Sequence, residues 1–159
     1  MMKIKCLCVG KVKEKYFKAA LAEYQKRLQA YSKLEIIECP EEKAPEGLSD
    51  LEKEQILEKE GQGILQHIKD RDQVVVLAIQ GEMVDSLKLA KKIGQWEMEG
   101  RDLVFVIGGS FGLSQSVEER AQWAWSFSPL TFPHQLMRVL LLEQVYRAFR
   151  IKNGHPYHK

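Results

Sequence analysis

Cysteine is scarce in this sequence of 159 residues, which contains only Cys6, Cys8 and Cys39. An odd number of cysteines without a secretion signal argues against a disulfide framework. Cys6 and Cys8 face the same side of a predicted strand, but a metal site needs more ligands and none are close in sequence. Buried free thiols are therefore favoured over a metal pair, and we expect no bound metal.

The chain also lacks any long apolar run. No segment reaches the roughly 18 apolar residues that a transmembrane helix needs. The N-terminal residues show neither a signal-like apolar stretch nor a small-residue cleavage site. We therefore expect a cytoplasmic protein with no membrane partner. No repeat, linker or low-complexity segment interrupts the sequence, and its length suits one domain over residues 1–159.

The common nucleotide-binding fingerprints are missing. No Gly-x-Gly-x-x-Gly follows the first predicted strand, and no lysine of the Walker type follows a glycine-rich loop. The acidic, ribose-binding residue that a Rossmann loop would have about 20 positions later has no counterpart after Gly108. These absences count against a dinucleotide-dependent oxidoreductase.

The net charge is only +2, but the charges are unevenly distributed. Residues 1–33 carry nine Lys and Arg against two acids, residues 34–60 carry three against ten, and residues 134–159 carry five against one. A polyanion would be attracted to the two basic ends, where Lys11 and Lys13 can position RNA phosphates. A solvated basic helix face explains the same composition equally well.

Apolar spacing predicts that strands and helices alternate along the chain. Short apolar runs indicate strands, and apolar residues at every third or fourth position indicate helices. Ser49 with Glu52, and Ser116 with Glu119, have the spacing of a capping box. This order is typical of an α/β fold with a mostly parallel sheet covered by helices. Strands are predicted at 3–9, 34–39, 73–79, 103–107 and 124–127, and helices at 14–31, 49–68, 86–96, from 116, and at 134–151.

Three loops, at residues 80–84, 108–112 and 128–133, follow predicted strands. Ligands of open α/β sheets bind beyond the carboxyl ends of strands, so these loops are candidates. The glycines of 108–112 let the backbone approach a ligand closely, although a tight turn before a helix has the same sequence. Residues 128–133 can hold an adenine by its edge, and a proline-punctuated turn is the alternative.

The end of the chain combines side chains that can do chemistry. The histidines, the tyrosine and the lysine of residues 155–159 can accept a proton, stack on a nucleobase or bind a phosphate. Terminal segments, however, usually fray. In the preceding helix, Glu143 and Arg147 stand one turn apart, which also fits a plain ion pair. The residues alone leave both interpretations open for the tail residues His155, Tyr157, His158 and Lys159.

Four motifs in order distinguish the second half of the chain. They read FVIGGSFGL at 105–113, LTFPHQLMRVL at 130–140, EQVYRA at 143–148 and HPYHK at 155–159. With VGK at 9–11 and EKAP at 42–45, they make the whole chain resemble the ribosomal RNA large subunit methyltransferase H family, a member of the SPOUT class.

This resemblance implies a fold and an activity that periodicity did not reveal. It implies an α/β fold with a C-terminal trefoil knot, which general topology rules would have excluded. It also implies a homodimer without a separate RNA-binding domain. The implied reaction is transfer of a methyl group from S-adenosyl-L-methionine to N3 of a pseudouridine in 23S ribosomal RNA, on the assembled ribosome.

The resemblance also implies roles for individual residues. The tail would close over the site from or near the partner subunit, which makes His155, Tyr157, His158 and Arg138 candidates for base recognition and catalysis. Lys11, Lys13, Arg147 and Lys159 are the candidates for RNA contact, although Lys159 replaces an arginine of some relatives and lysine cannot bind a phosphate in the same bidentate way. The implied cofactor-binding residues are Leu77, Gly108, Gly109, Phe127, Ser128, Pro129, Leu130, Thr131 and Phe132.

A uracil-type N3 carries a proton that must leave for methylation. His155 or His158 is the hypothetical proton acceptor, because imidazole titrates near neutral pH. Tyr157 would instead stack on the target nucleobase. The alternative function is a non-catalytic ribosome-binding factor, which would have the same basic ends but no cofactor pocket. Saturable binding of S-adenosylmethionine separates the two.

Overall fold

The computed structural model describes residues 1–158. Its strands and helices alternate along the chain, as predicted. The strands are β1 (Lys3–Val9), β2 (Lys33–Cys39), β3 (Gln73–Glu82), β4 (Leu103–Ile107) and β5 (Trp123–Trp125). The helices are α1 (Lys15–Leu28), α2 (Asp50–Leu65), α3 (Ser86–Met98), α4 (Gln115–Arg120) and α5 (His134–Lys152).

The five strands form one sheet in the order β2-β1-β4-β3-β5. Every pairing between them is parallel, which confirms the predicted α/β architecture. Because all five strands run the same way, their carboxyl ends meet at one edge of the sheet. The loops that follow β3, β4 and β5 are therefore neighbours, although long stretches of sequence separate them.

Helices cover both faces of the sheet, so β4 is buried along its whole length. Leu103, Phe105 and Ile107 belong to the apolar core that also contains buried residues of α1, α3 and α5. Val104 and Val106 point the other way and belong to the core that contains Ile64 of α2 and Val117 of α4. The unbroken apolar run at 103–107 reflects this burial on both sides.

Two details of the helix ends follow from side-chain hydrogen bonds. The capping box predicted at the start of α2 is confirmed, since Ser49 and Glu52 each accept a backbone N–H of the other. The prediction for α4 was wrong. Ser114 caps this helix by accepting the Val117 N–H at 3.3 Å, and the Ser116 hydroxyl donates instead to the Glu58 carboxylate at 3.0 Å.

The three cysteines are free and buried, as predicted. Burial raises the pKa of the Cys6 thiol well above its usual value and raises that of Cys8 to about 12. No group of metal-ligating side chains is found within residues 1–158. Among the described helices, none combines the length and apolar character that a membrane crossing requires.

The buried thiols lead to a prediction about reactivity. Because the thiolate is the nucleophile, Cys6 and Cys8 should resist a disulfide reagent such as dithionitrobenzoate while the protein is folded. In denaturant all three thiols should react rapidly. A time course of absorbance under both conditions measures this, and fast reaction of two or more thiols in the folded protein would contradict the buried placement.

Candidate active site

A cleft of about 750 Å³ lies at the carboxyl edge of the sheet. Its walls come from the second half of β3, the loop after β4, the segment after β5 and the first turn of α5. The lining residues are 77–80, 107–113, 125–128 and 130–132, together with Glu118, His134 and Met137. The cleft thus lies where an open parallel sheet is expected to bind a ligand.

The glycine loop after β4 forms a tight turn. The Gly112 N–H donates to the Gly109 carbonyl at 3.1 Å, and the two residues form an isolated bridge. Gly112 has φ of +88°, a conformation that side chains with a Cβ rarely adopt. A Cβ at Gly108 would lie 2.5 Å from the Gly112 carbonyl oxygen, so this position leaves no room for a larger residue.

Side-chain hydrogen bonds shape the segment that follows β5. The Ser126 hydroxyl donates to the Ser128 carbonyl at 3.3 Å, and the Ser128 hydroxyl accepts the Leu130 N–H at 3.0 Å. The Phe127 ring packs against Trp125 with centroids 4.4 Å apart. Serine side chains that bond to nearby backbone favour such turns over helix or strand. The segment therefore has a defined path along the wall of the cleft.

The structure brings together nearly all residues that the resemblance implied for cofactor binding. Leu77, at the middle of β3, Gly108 and Gly109, and five residues of 127–132 line the cleft. Pro129 is the exception, since it is exposed and does not contribute to the lining. The role of these residues in cofactor binding stays a prediction, but all of them except Pro129 line the same cleft.

Sequence reasoning missed Glu118 and His134, which are the titratable groups among the described residues that line the cleft. Glu118 stands in the first turn of the helix that begins directly after the glycine loop. It therefore places a carboxylate beside this loop, where no acidic residue of the ribose-binding type was predicted from the sequence. His134 is the first residue of α5 and was already part of the LTFPHQLMRVL motif. The short connections between these loops and the following helices were the signal that could have identified both.

Arg138 does not line the cleft, although it was a candidate for catalysis. Its side chain is only 3% exposed and forms a salt bridge of 2.9 Å with Glu38. It also donates to the Val9 carbonyl at 3.2 Å and to the Gly10 carbonyl at 2.9 Å. These bonds tie α5 to the ends of β1 and β2, so the geometry gives Arg138 a structural task.

The described part of the tail, residues 155–158, packs against α5. The Tyr157 hydroxyl donates to the Glu143 carboxylate at 2.7 Å, and Arg147 bonds to the same carboxylate at 2.8 Å. The Arg147 guanidinium lies 4.7 Å from the Tyr157 ring centre and 3.2 Å from the imidazole of His158. Partial burial and the bond to Glu143 raise the pKa of Tyr157.

A second set of contacts holds the beginning of the tail. The imidazole of His155 lies 2.6 Å from the Tyr31 hydroxyl, and Arg150 donates to the Pro156 carbonyl at 2.9 Å. Arg150 lies 13 residues beyond Met137 in α5, which at ~1.5 Å per residue is about 20 Å along the helix. The described tail residues are absent from the cleft lining. Lys159 lies outside the described residues.

Lys11 and Lys13 are exposed and lie in the connection between β1 and α1. The Lys13 N–H donates to the Gln135 side chain at 3.1 Å, and the Val12 N–H donates to Glu38 at 2.7 Å. Gln135 follows His134 of the cleft lining. These backbone bonds hold the connection beside the first turn of α5, and both lysine side chains are exposed there.

Residues 2–158 match the family model described as a predicted SPOUT methyltransferase. Among solved structures, the chain is similar to a probable methylase family protein from Haemophilus influenzae Rd KW20, with a TM-score of 0.59 and 11% identity. The match covers 99% of this chain and 71% of that one, and at this identity it supports the fold alone. Because the family model extends over all five strands and every loop of the cleft, this chain belongs to the SPOUT methyltransferase family and is a methyltransferase.

Proposed function

We propose that this chain transfers the methyl group of S-adenosylmethionine to N3 of a pseudouridine in 23S ribosomal RNA of the assembled ribosome. The observation that carries the proposal is the single cleft formed by Leu77, the glycine loop and residues 127–132. These are the residues that the resemblance to the large subunit methyltransferase H family assigns to the methyl donor. The identity of the RNA substrate is inferred from that resemblance alone. The match to the SPOUT methyltransferase family supports methyl transfer as the class of reaction.

The cleft suits S-adenosylmethionine in size and character. Its volume of about 750 Å³ is within the range of small-molecule sites, and such sites are mostly apolar with a few polar groups. Apolar side chains of Leu77, Phe127 and Phe132 face it alongside the serine hydroxyls and backbone of the loops. When bound, S-adenosylmethionine supplies an electrophilic methyl group on a positively charged sulfur.

The residues of the chain contribute mainly by alignment. The tight turn at Gly108–Gly112 and the hydrogen-bonded segment after β5 present fixed walls to the donor. Good orientation of two reactants can supply roughly 7–11 kcal/mol of a reaction barrier. The proton on N3 needs an acceptor, and the tail histidines His155 and His158 are the groups we assign to this task. Tyr157, held as a hydroxyl by Glu143, is suited to stacking and not to accepting a proton.

We propose that the active form is a homodimer in which the tail of one copy completes the cleft of the other. Two observations support this. The described tail residues, 155–158, are held along α5 and away from the cleft of their own chain. Leu136 and Leu140, one turn apart on α5, are half-buried and belong to neither apolar core, so they leave an apolar stripe for a partner. We also propose that the chain is threaded as the trefoil knot of the family.

RNA phosphates would be attracted first to Lys11 and Lys13, which are exposed beside the first turn of α5. Arg147 was predicted to contact RNA, but Glu143 and the tail already occupy its guanidinium. We therefore assign Arg147 the task of positioning Tyr157 and His158. Lys159 keeps its predicted contact with RNA as a proposal.

Transfer of tritiated methyl groups tests the proposed function. Whole ribosomes, separated subunits and naked 23S RNA are incubated with the protein and labelled donor, and the labelled nucleotide is mapped. We expect label on one pseudouridine of 23S RNA, with whole ribosomes as the preferred substrate. Saturable heat on titration with S-adenosylmethionine should accompany it. Binding to ribosomes without any such heat would favour the non-catalytic ribosome-binding factor.

The histidine assignment makes its own prediction. Replacing the histidine that accepts the proton by alanine should lower the single-turnover rate by about 100-fold or more, because no other tail group replaces the imidazole. His155→Ala and His158→Ala are measured separately at saturating donor. His67→Ala is the matched control, since this half-buried histidine lies outside the cleft and the tail. Unchanged rates in both tail variants would end the histidine assignment.

A further inference from the structure

Three large apolar side chains are exposed at the cleft and are not part of the buried apolar core. Ile79 is 53% exposed, Phe111 is 38% exposed and Leu130 is 72% exposed, and all three line the cleft. A group of exposed apolar side chains at one place marks a binding surface. Resting on the proposed function, we propose that Phe111 and Lys53 form a subsite for the target nucleotide of the RNA, where its base stacks on Phe111 and Lys53 neutralises an adjoining phosphate.

The glycine loop presents Phe111 as a platform. Phe111 is the third residue of the four-residue turn that the Gly112 to Gly109 hydrogen bond closes. At this place its ring belongs to neither apolar core, so it does not stabilise the interior of the fold. An aromatic residue at the tip of a tight turn keeps its ring available to a ligand, at the cost of leaving apolar surface in water.

Helix α2 supports this turn from behind. The buried carboxylate of Glu60 accepts the Glu42 N–H at 3.0 Å, and its other oxygen would lie 3.7 Å from a Cβ at Gly109. Gly61 packs so closely against the Ser114 side chain that a Cβ there would collide with it. The buried first residue of the turn, Gly109, is thus backed by α2, which also packs against the start of α4, while the tip of the turn is exposed. A rigid platform loses little conformational entropy when a base stacks on it.

Lys53, also on α2, completes the subsite. Its Nζ lies 5.6 Å from the centre of the Phe111 ring, within the range of a cation–π contact. Lys53 forms no salt bridge with any residue of 1–158, so its charge is available to a ligand. This lysine stands in a helix rich in acids, beside a cleft-lining aromatic ring, and does not itself line the cleft.

An aromatic face beside a free cation is the arrangement that single-stranded nucleic acids recognise, since bases stack and phosphates pair with the charge. The adenine of the methyl donor has the same chemistry and is the competing occupant. Phe127 and Phe132 are half-buried in the wall of the cleft, whereas Phe111 is exposed there. We therefore assign the half-buried rings to the donor and Phe111 to the RNA base.

Kinetics with ribosomes and titration with the donor distinguish the two occupants. We compare wild type with Phe111→Ala, Phe111→Leu and Phe111→Tyr. Loss of one base–aromatic stack should raise KM for ribosomes about tenfold or more in the alanine and leucine variants, while Kd for S-adenosylmethionine stays within about twofold. The tyrosine variant keeps the aromatic face and should remain close to wild type. Lys53→Gln should raise KM and reduce the slope of log KM against log salt by about one.

Met98→Ala is the control, because Met98 is 91% exposed but lies on α3 outside this cleft. A parallel loss of donor affinity in Phe111→Ala would make the ring an adenine clamp and overturn the assignment, as would wild-type kinetics in Phe111→Leu.

If the wild-type protein transfers no methyl group to ribosomes, the proposed function fails. Filter binding of a short single-stranded RNA then tests the subsite alone, and equal affinity of wild type and Phe111→Ala would refute it.

Discussion

Arg138→Met is expected to lower the free energy of unfolding by about 2–4 kcal/mol. The substitution keeps most of the side-chain length but removes the charge that pairs with Glu38 and the two bonds to the Val9 and Gly10 carbonyls. Those carbonyls lose a buried charged donor, which is the costly part. Urea unfolding followed by fluorescence of the tryptophans measures the loss.

A matched arginine separates this structural effect from a change of surface charge. Arg71 is exposed and forms no side-chain hydrogen bond or salt bridge that the structure records within residues 1–158. Arg71→Met should therefore leave stability within about 0.5 kcal/mol of wild type. If Arg138→Met were as stable as wild type but inactive in methyl transfer, Arg138 would act in catalysis and the structural assignment would be wrong.

Gly108→Ala is expected to lower the rate of methyl transfer by about 100-fold, because displacements of around 1 Å in a site can cost that much. The new Cβ would lie 2.5 Å from the Gly112 carbonyl oxygen and 3.0 Å from Leu113. Backbone is the closest obstacle, so the turn itself must open. Its displacement moves the wall of the cleft that we assign to the donor. Single-turnover transfer to ribosomes and titration with S-adenosylmethionine measure the two effects.

Gly63→Ala is the control for this substitution. Gly63 lies within α2, and the nearest atom to a Cβ there is 3.9 Å away on Pro40. Alanine favours a helix by roughly 0.5–1 kcal/mol over glycine, so this variant should be active and slightly more stable. Wild-type activity and donor affinity in Gly108→Ala would show that the turn can relax and that its shape is not required.

Much of the fold follows from the sequence because each element carries its own signal. The doubly buried run at 103–107 is apolar on both sides, and Ser49 with Glu52 fixes the start of α2 through bonds three residues apart. Such patterns depend on neighbours in the chain. The exception is α4, where Ser114 and Ser116 are both possible caps. Ser114 caps the helix, and the Ser116 hydroxyl donates to Glu58 of α2, a contact that neighbouring residues do not predict.

The site was only partly predictable, because sequence patterns report on neighbouring residues and the site combines residues that are distant in the chain. The glycine loop and residues 128–133 could be marked as candidates because they follow strands. The short loop-to-helix connections could place Glu118 and His134 each beside its own loop. That the two face the same cleft was not evident, since they are 16 positions apart and the sheet order brings them together. Arg138 stands within a motif of the family, yet its burial against β1 depends on residues about 100 and 130 positions away.

The sequence by itself determined the alternation of strands and helices, the parallel sheet, the burial of the thiols and the loops from which a ligand site could be built. Only the tertiary structure decided which side chains share the cleft, that Arg138 is enclosed, and that His155, Tyr157 and His158 lie along α5. The reason is physical. Local elements arise from residues a few positions apart, whereas a site arises where the packing of the sheet and its helices brings distant residues into contact.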